Sequence, residues 1–180
     1  MKKRLLFILF ILFLSACSQA EEPNEPEPAQ VDPAASMPEN MPDDFDFSVQ
    51  FGVGKNNEVN TFEGTVTKDL IADGTATTEV TLTEEEMKAV YEKMKEINIV
   101  ETKEFTPEPV NGTMCNIEPH EDDEWEIIID GETITHSVSG AYCDPTEDAE
   151  QLIGLRDNVF SIIRGKEAYK ELPDAKGGYD

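Results

Sequence analysis

The sequence predicts an α+β domain: an antiparallel sheet of about five strands, in the order β-β-β-α-β-β-α, with two helices packed on one face. Three patterns support this prediction. Apolar residues alternate strictly over 45–53, a capping box at Thr83 precedes a helical apolar stripe, and Asp130-Gly131 separates two alternating runs. We expect the domain to span residues 45–172, followed by a C-terminal tail at 173–180.

The first half of the domain is predicted to contain three strands joined by turns. The alternation over 45–53 buries one face of the first strand, because side chains of a strand point to opposite faces in turn. A second β-like run covers 58–70, and Ala72-Asp73-Gly74 turns the chain into a third strand at 75–82. Tight turns between strands favour an antiparallel meander.

The two helices are predicted from their caps and from their apolar spacing. Thr83 opens a Thr-x-x-Glu capping box, and apolar residues follow at helical spacing: Met87, Val90, Tyr91, Met94 and Ile97. Asp144 is predicted to cap the last helix, with Pro145 at its first position and Glu147 completing the box. Gly165 is expected to end this helix.

Residues 101–123, between the helices, form the longest irregular stretch of the predicted domain. Long loops are frequently functional, so this stretch is the first place to look for a site. A hairpin follows, in which Asp130-Gly131 supplies a two-residue type I′ turn. Its register places Trp125 opposite His136, and we take these two residues as the candidate functional surface.

The N-terminus carries the pattern of an export signal. Lys2-Lys3-Arg4 precedes ten apolar residues, and the run ends in Leu14-Ser15-Ala16-Cys17. Ten helical residues span about 15 Å, half of a hydrocarbon core of roughly 30 Å, which is typical of a signal segment and too short for a membrane helix. An ordinary secretory signal with an incidental cysteine is the competing interpretation.

Leu-Ser-Ala-Cys resembles the lipobox of bacterial lipoproteins. In that family the cysteine receives a diacylglycerol, the bond before it is cut, and the lipidated cysteine becomes the N-terminus. The resemblance implies a signal peptide at 1–16, a diacylglycerol (palmitate) anchor on Cys17, and a location on the outer face of the cytoplasmic membrane of a Gram-positive bacterium.

Residues 17–44 are predicted to be a disordered, acidic, Pro-rich spacer. Residues 18–44 contain six Pro and eight acidic residues without any Lys, Arg or aromatic residue, so they cannot bury enough apolar surface to fold. The domain is acidic as well, since residues 45–180 hold 31 acidic and 11 basic residues, a net charge of -20. This charge repels nucleic acid and favours basic groups or cations as partners.

Two cysteines other than Cys17 lie in the domain, Cys115 and Cys143. An even pair in an exported chain favours a disulfide. Free or redox-active thiols are a second interpretation. A third is a zinc site completed by His120 and His136, although these spacings match no zinc motif. We expect no cofactor.

The acidic loop at 118–124 surrounds His120 with carboxylates, and these oxygen ligands suit a hard cation such as calcium. The candidate ligands are His120, Glu121, Asp122 and Asp123. The calcium-binding pattern of EF-hands is absent, so a solvated acidic loop is the favoured interpretation and we assign no metal site.

The domain contains a series of short landmarks in a fixed order: Phe51-Gly52-Val53-Gly54, Asn60-Thr61-Phe62, Thr67-Lys68-Asp69-Leu70, Leu82-Thr83, Tyr91, Ile97, Leu172-Pro173 and Gly177-Gly178-Tyr179. This order resembles that of small lipoproteins of Bacillus and related Gram-positive bacteria, for which no activity is assigned. The resemblance implies location and domain boundaries and no mechanism.

The expected function is therefore that of a membrane-anchored, extracytoplasmic lipoprotein that binds an envelope protein or a cell-wall component and is not an enzyme. The sequence contains no Gly-x-Ser-x-Gly motif, phosphate loop or dinucleotide fingerprint. Two alternatives remain open: a domain that senses a cation or small molecule through residues 118–124, and an enzyme with a site near His136.

Overall fold

Six antiparallel strands form one layer of the fold, and two long helices cover one face of that sheet in a computed structural model that describes residues 36–179. The strands are β1 (Asp46–Gly52), β2 (Asn57–Asn60), β3 (Thr65–Asp69), β4 (Thr75–Glu79), β5 (Asp122–Ile129) and β6 (Glu132–Ser139). The helices are α1 (Glu84–Glu96), α2 (Glu147–Gly165) and the short α3 (Glu167–Lys170), and Val53–Lys55 form one 3₁₀ turn.

The predicted α+β class is confirmed, with six strands in place of about five. The strands lie in the order β4-β3-β2-β1-β5-β6, and every neighbouring pair is antiparallel. The additional strand arises because the predicted run 58–70 is a hairpin with a turn at 61–64. In that turn Glu63 N–H donates to Asn60 Oδ1 at 3.0 Å and Gly64 has a φ of +64°.

Strand β1 lies in the interior of the sheet and contributes buried side chains to the core. It pairs with β2 on one side and with β5 on the other. Phe47 and Val49 of β1 are fully buried, and the ring centroid of Phe47 lies 6.2 Å from that of Trp125 on β5. The period-two alternation predicted for this segment therefore reflects a strand with one face against the helices.

The first helix begins as the sequence predicts. The Thr83 hydroxyl accepts a hydrogen bond from the Glu86 N–H at 3.2 Å, and the Glu86 carboxylate accepts one from the Thr83 N–H at 2.8 Å. Each side chain thus satisfies a backbone donor that the first turn leaves free. The buried stripe of α1 consists of Val90, Tyr91 and Met94.

The hairpin of β5 and β6 has the predicted turn and register. Asp130 and Gly131 both have positive φ, +52° and +77°, as a type I′ turn requires. Ile127 lies opposite Ile134, and Trp125 lies opposite His136. The Asp44 carboxylate binds the turn from outside, accepting from the backbone N–H groups of Asp130 and Gly131 at 3.1 and 2.6 Å.

The predicted cap of the second long helix is wrong. Helix α2 begins at Glu147, and Thr146 is its N-cap, with its hydroxyl accepting from the Ala149 N–H at 3.1 Å. Asp144 lies before the helix because Tyr142 still pairs in a β-bridge with Asn116. The predicted end at Gly165 is confirmed.

Segments on both sides of the predicted domain pack onto it. Met37, which the sequence analysis assigns to the spacer, is buried in the core, and the Tyr91 hydroxyl donates to the Pro38 carbonyl at 2.7 Å. Tyr179, assigned to the tail, hydrogen-bonds through its hydroxyl to Asp69. The predicted signal peptide and Cys17 lie outside the described residues. None of the helices between residues 36 and 179 has the length and apolarity to cross a membrane.

Replacement of Thr61 by Val tests the hydrogen bonds that join the chain at the end of β2 to strand β1. The Thr61 hydroxyl accepts from the Phe47 N–H and donates to the Phe47 carbonyl, both at 2.7 Å. The substitution keeps the shape and leaves the Phe47 N–H without its partner, while the Phe47 carbonyl still accepts from the Thr61 N–H at 2.9 Å, so we expect the free energy of unfolding to fall by about 1–3 kcal/mol in urea denaturation. Thr135→Val, at an exposed strand position, is the control and should change it by less than about 0.5 kcal/mol. Equal effects would contradict this role of Thr61.

Candidate functional site

A groove lies between an extended loop segment, strand β6 and the start of α2. One cavity of about 650 Å³ is lined by Thr102–Thr106, Ser137 and Asp148. A second cavity of about 360 Å³ is lined by Glu104, Thr106–Glu108 and Thr146–Asp148. The two cavities share Glu104, Thr106 and Asp148, so we treat them as one feature, the β6 groove. Its volume is in the range typical of ligand sites.

The loop segment that walls the β6 groove is fixed to the start of α2. Glu104 N–H donates to Asp148 Oδ2 at 2.8 Å, and the Thr146 hydroxyl donates to the Glu104 carbonyl at 2.6 Å. Lys103, within the same segment, points inward, and only 6% of its side chain is exposed. Its Nζ is 3.2 Å from Asp148 Oδ1 and donates to the Ile97 carbonyl at 2.7 Å. The residues that begin the helix therefore also position the wall.

The β6 groove is negatively charged at its surface. Glu104, Glu108 and Glu147 are exposed, and none of them forms an ion pair within the described part of the chain. The positive charge of Lys103 neutralises only the carboxylate of Asp148, because the lysine is buried against that residue. A partner with amines or guanidinium groups would therefore find three carboxylates in this groove, together with an overall acidic domain.

His136 contacts both the wall and the chain just before it. Its Nε2 lies 2.7 Å from the Ile99 carbonyl oxygen, and since a carbonyl can only accept, Nε2 carries the proton. The edge of the Phe105 ring packs against the imidazole with centroids 5.6 Å apart. Burial lowers the pKa of His136 below its ordinary value. These contacts give the neutral imidazole a structural role between β6 and residues 99–105.

Trp125, the second member of the predicted functional surface, does not lie on a surface. Its side chain is fully buried on the helix-facing side of β5, opposite His136. The indole Nε1 has no hydrogen-bond partner among residues 36–179. Trp125 therefore belongs to the core, and the pairing predicted from the hairpin register explains its position there.

The carboxylates of the acidic loop contact His120 within the loop and Arg156 of α2. His120 Nδ1 lies 3.0 Å from Glu118 Oε2, and its Nε2 lies 3.5 Å from Asp122 Oδ1. Arg156 of α2 contacts Glu121 Oε2 at 3.0 Å through Nη1. Among the residues described by the structure, no group of three or more His, Cys, Asp or Glu side chains is arranged to hold a metal ion.

Asp123 is the least expected member of this cluster, because its side chain enters the core. Only 2% of the residue is exposed. Its Oδ2 lies 3.3 Å from Arg156 Nε, whereas Oδ1 has no hydrogen-bond partner within residues 36–179. Burial raises the pKa of Asp123 to about 6, although the Arg156 guanidinium beside it acts in the opposite direction. The alternation that buries Trp125, Ile127 and Ile129 already puts Asp123 on the same face.

Cys115 and Cys143 form a disulfide, with their Cα atoms 5.5 Å apart. This bond excludes the free-thiol interpretation and the zinc set, since neither thiolate is left to bind a metal. The bond closes a ladder that extends the β5–β6 hairpin: Gly140 N–H donates to the Glu121 carbonyl at 2.8 Å, and Cys143 N–H donates to the Cys115 carbonyl at 3.1 Å. The disulfide thus joins residues 115–121 to the chain leaving β6.

The tip of the irregular loop is a tight turn that the sequence analysis missed. Val110 and Thr113 exchange two backbone hydrogen bonds of 3.0 and 3.1 Å, and Asn111 and Gly112 between them both have positive φ. Asn-Gly is the strongest short signal for such a turn, but without alternating residues around it the signal is easily overlooked. Val110 is 70% exposed at this tip.

The comparisons with known proteins leave the site to be interpreted from its own residues. No protein-family model matches the chain, and no curated protein matches it. Of the predicted site residues, the structure joins Cys115 with Cys143 and surrounds His120 with carboxylates. The sequence predicts only that the loop containing one wall of the β6 groove is irregular. The groove itself is not predicted, because its other walls come from β6 and the start of α2, which are distant in sequence.

The buried carboxyl of Asp123 predicts a specific dependence of stability on pH. Its pKa is raised from 3.8 to about 6 in the folded protein, so as the pH rises the unfolded chain releases this proton first. The stabilisation from this group is complete below pH 3.8 and is lost as the pH rises through 6. The loss is on the order of 3 kcal/mol. We expect this decrease in the free energy of unfolding to be absent in Asp123→Asn when both proteins are measured by urea denaturation between pH 4 and pH 7.

Glu126→Gln is the matched control for this experiment, because Glu126 is an exposed carboxyl on the same strand. It removes one negative charge, as the Asp123 variant does, and should leave the pH dependence close to that of the wild type. If Asp123→Asn and Glu126→Gln change with pH in the same way, the burial of Asp123 does not control stability.

Proposed function

We propose that the protein is an extracytoplasmic lipoprotein, anchored through Cys17 to the outer face of the cytoplasmic membrane, and that its domain binds a partner without catalysing a reaction. The observation that carries the proposal is Leu14-Ser15-Ala16-Cys17, placed after a basic start and a ten-residue apolar run. The acyl chains of such an anchor contribute about 0.8 kcal/mol for each buried methylene, so two or three chains hold a protein firmly at a membrane.

The disulfide supports a location outside the cytoplasm. Cys115 and Cys143 are bonded, and structural disulfides persist in oxidising compartments while cytoplasmic thiols are kept reduced. The bond lies at the end of the backbone ladder that joins residues 115–121 to the chain leaving β6, beside the hydrogen bond from the Ile117 N–H to the Ala141 carbonyl. A domain with such a disulfide is suited to the cell exterior.

Binding is favoured over catalysis by the chemistry of the β6 groove. His136, the imidazole behind the wall, directs its Nε2 proton to the Ile99 carbonyl and not to a nucleophile. The buried Lys103 is engaged by Asp148 and by a backbone carbonyl. The exposed carboxylates of Glu104 and Glu108 have no such engagement and are available to a partner. The groove is therefore suited to bind positively charged groups.

The net charge of the domain points to the same kind of partner. Residues 45–180 carry a net charge of -20, so long-range attraction favours a basic surface and repels acidic ones. An envelope protein or a cell-wall component with exposed amines meets this condition. At the membrane surface, a tethered domain also has a higher effective concentration near such partners than a free one.

Replacement of Cys17 by Ser tests the anchor. Serine cannot form the thioether to diacylglycerol, so we expect the protein to move from the membrane fraction to the medium or the soluble fraction. Ser18→Ala, next to the cysteine, is the control and should remain with the membrane, as shown by immunoblotting of fractionated cells. A Cys17→Ser protein that stays membrane-bound would overturn the proposed anchor.

Crosslinking of the lipidated protein in intact cells, followed by pull-down, tests the binding function. We expect a crosslinked protein or wall fragment whose recovery falls several-fold in a Glu104→Gln/Glu108→Gln variant, because the groove then loses two carboxylates. Glu63→Gln/Glu79→Gln, at exposed positions of the β2–β3 turn and of β4, is the control for the loss of two charges. The proposal fails if nothing is crosslinked, or if the groove variant recovers the partner as well as the control does.

A further inference from the structure

We propose that the β6 groove binds an extended, basic peptide segment of a partner protein, which pairs with β6 as a seventh strand. This inference rests on the proposed binding function and names the site and the chemical class of the partner. It does not depend on the membrane anchor. Three observations carry it: the hydrogen-bonding state of β6, the wall that faces it, and the charge of that wall.

The outer edge of β6 is unpaired. Strand β6 is the last strand of the sheet, and its only strand neighbour in the described chain is β5. The two-residue turn makes Ile129 and Glu132 a hydrogen-bonded pair, and the bonding then alternates along the ladder. Thr133, Thr135 and Ser137 therefore direct their N–H and C=O groups away from β5. Within residues 36–179 no backbone hydrogen bond from another segment reaches them.

A second wall runs beside this edge without pairing to it. The segment Thr102–Thr106 lines the same cavity as Ser137, and the cavity between them measures about 650 Å³. The segment is fixed at its middle by the bonds between Glu104 and the start of α2, and the bond between His136 and Ile99 fixes the chain three residues before it. The segment is thus held beside β6, and a strand added to β6 would lie about 4.8 Å from it.

The charge of the groove selects the occupant. Glu104, Glu108 and Glu147 line it, and a strand added to β6 would place alternate side chains toward them. Lys or Arg at those positions gains attraction, while Asp or Glu is repelled. A second copy of this chain is disfavoured for the same reason, because its own β6 edge would bring another acidic groove against the first.

The edge position also explains which substitution tests the proposal most directly. Proline lacks the N–H group, and at Thr135 that group points outward and is not used in pairing with β5. Thr135→Pro therefore removes a donor that only an added strand would use. Thr77→Pro is the matched control, since Thr77 is an exposed position of β4, the strand at the opposite edge of the sheet.

The probe is a capped, fluorescein-labelled heptapeptide of alternating Lys and Val, titrated with the detergent-solubilised full-length protein and followed by fluorescence anisotropy. We expect saturable binding that weakens about tenfold in Thr135→Pro and about twofold or less in Thr77→Pro. The Glu-Val peptide should bind at least about tenfold more weakly than the Lys-Val peptide. A peptide that is N-methylated on alternate residues should also lose affinity, because its pairing edge is blocked.

Three results would overturn the inference: no saturable binding at millimolar peptide, equal affinities of the Thr135→Pro and Thr77→Pro proteins, or undiminished binding of peptides N-methylated on either edge. If Thr135→Pro unfolds, the N-methylated peptides decide the question, since they leave the protein unchanged. A partner crosslinked in cells that Thr135→Pro retains would refute the β6 site and preserve the proposed binding function. The absence of any partner in cells would refute that function independently of the peptide titration.

Discussion

The register of the β5–β6 hairpin determines most of what is distinctive in this structure. Because side chains alternate with a period of two, the turn at Asp130-Gly131 decides which residues of β5 and β6 enter the core and which face solvent. It buries Trp125 and brings Asp123 beneath Arg156. A slip of one residue would exchange the two faces and would also misplace the ladder that ends at Cys115 and Cys143.

The same register connects the core with the candidate site. His136 faces the helix-covered side of β6, where it holds the Ile99 carbonyl, and the alternate residues of β6 leave their backbone groups free at the edge. The wall of the groove is fixed at its middle by Asp148, which accepts from the Glu104 N–H and pairs with the buried Lys103. Core packing and a surface groove are in this way two consequences of one strand pairing.

The success of sequence-based prediction varied with the range of the interactions involved. The cap at Thr83, the alternation of β1 and the type I′ turn each depend on neighbours within a few residues, and the structure confirms them. The cap predicted at Asp144 failed because Tyr142 still pairs in a β-bridge with Asn116, a residue distant in sequence. The hairpin within 58–70, predicted as one strand, is an exception, since its turn rests on the local bond from the Glu63 N–H to Asn60 and on the positive φ of Gly64.

The candidate site shows the same division. The sequence identified residues 101–123 as the loop to inspect, and it identified Cys115 and Cys143 as a pair, because composition and cysteine number are local or countable properties. The prediction of Trp125 on a functional surface is wrong, because the structure buries this residue. The hairpin register shows that Trp125 lies opposite His136, but it does not show which other segments cover that face of the sheet.

By itself, the amino-acid sequence determined the fold class, the hairpin register and the acidity of the domain, as well as the lipobox pattern on which the proposed anchor depends. Periodicity, turn residues and charge act over short distances along the chain and can be recognised there. Only the tertiary structure decided that Asp123 is buried beside Arg156 and that Glu104 meets the first turn of α2. It also decided that the edge of β6 faces a wall. Each of these depends on segments far apart in sequence, whose approach is set by packing of the whole sheet against its helices.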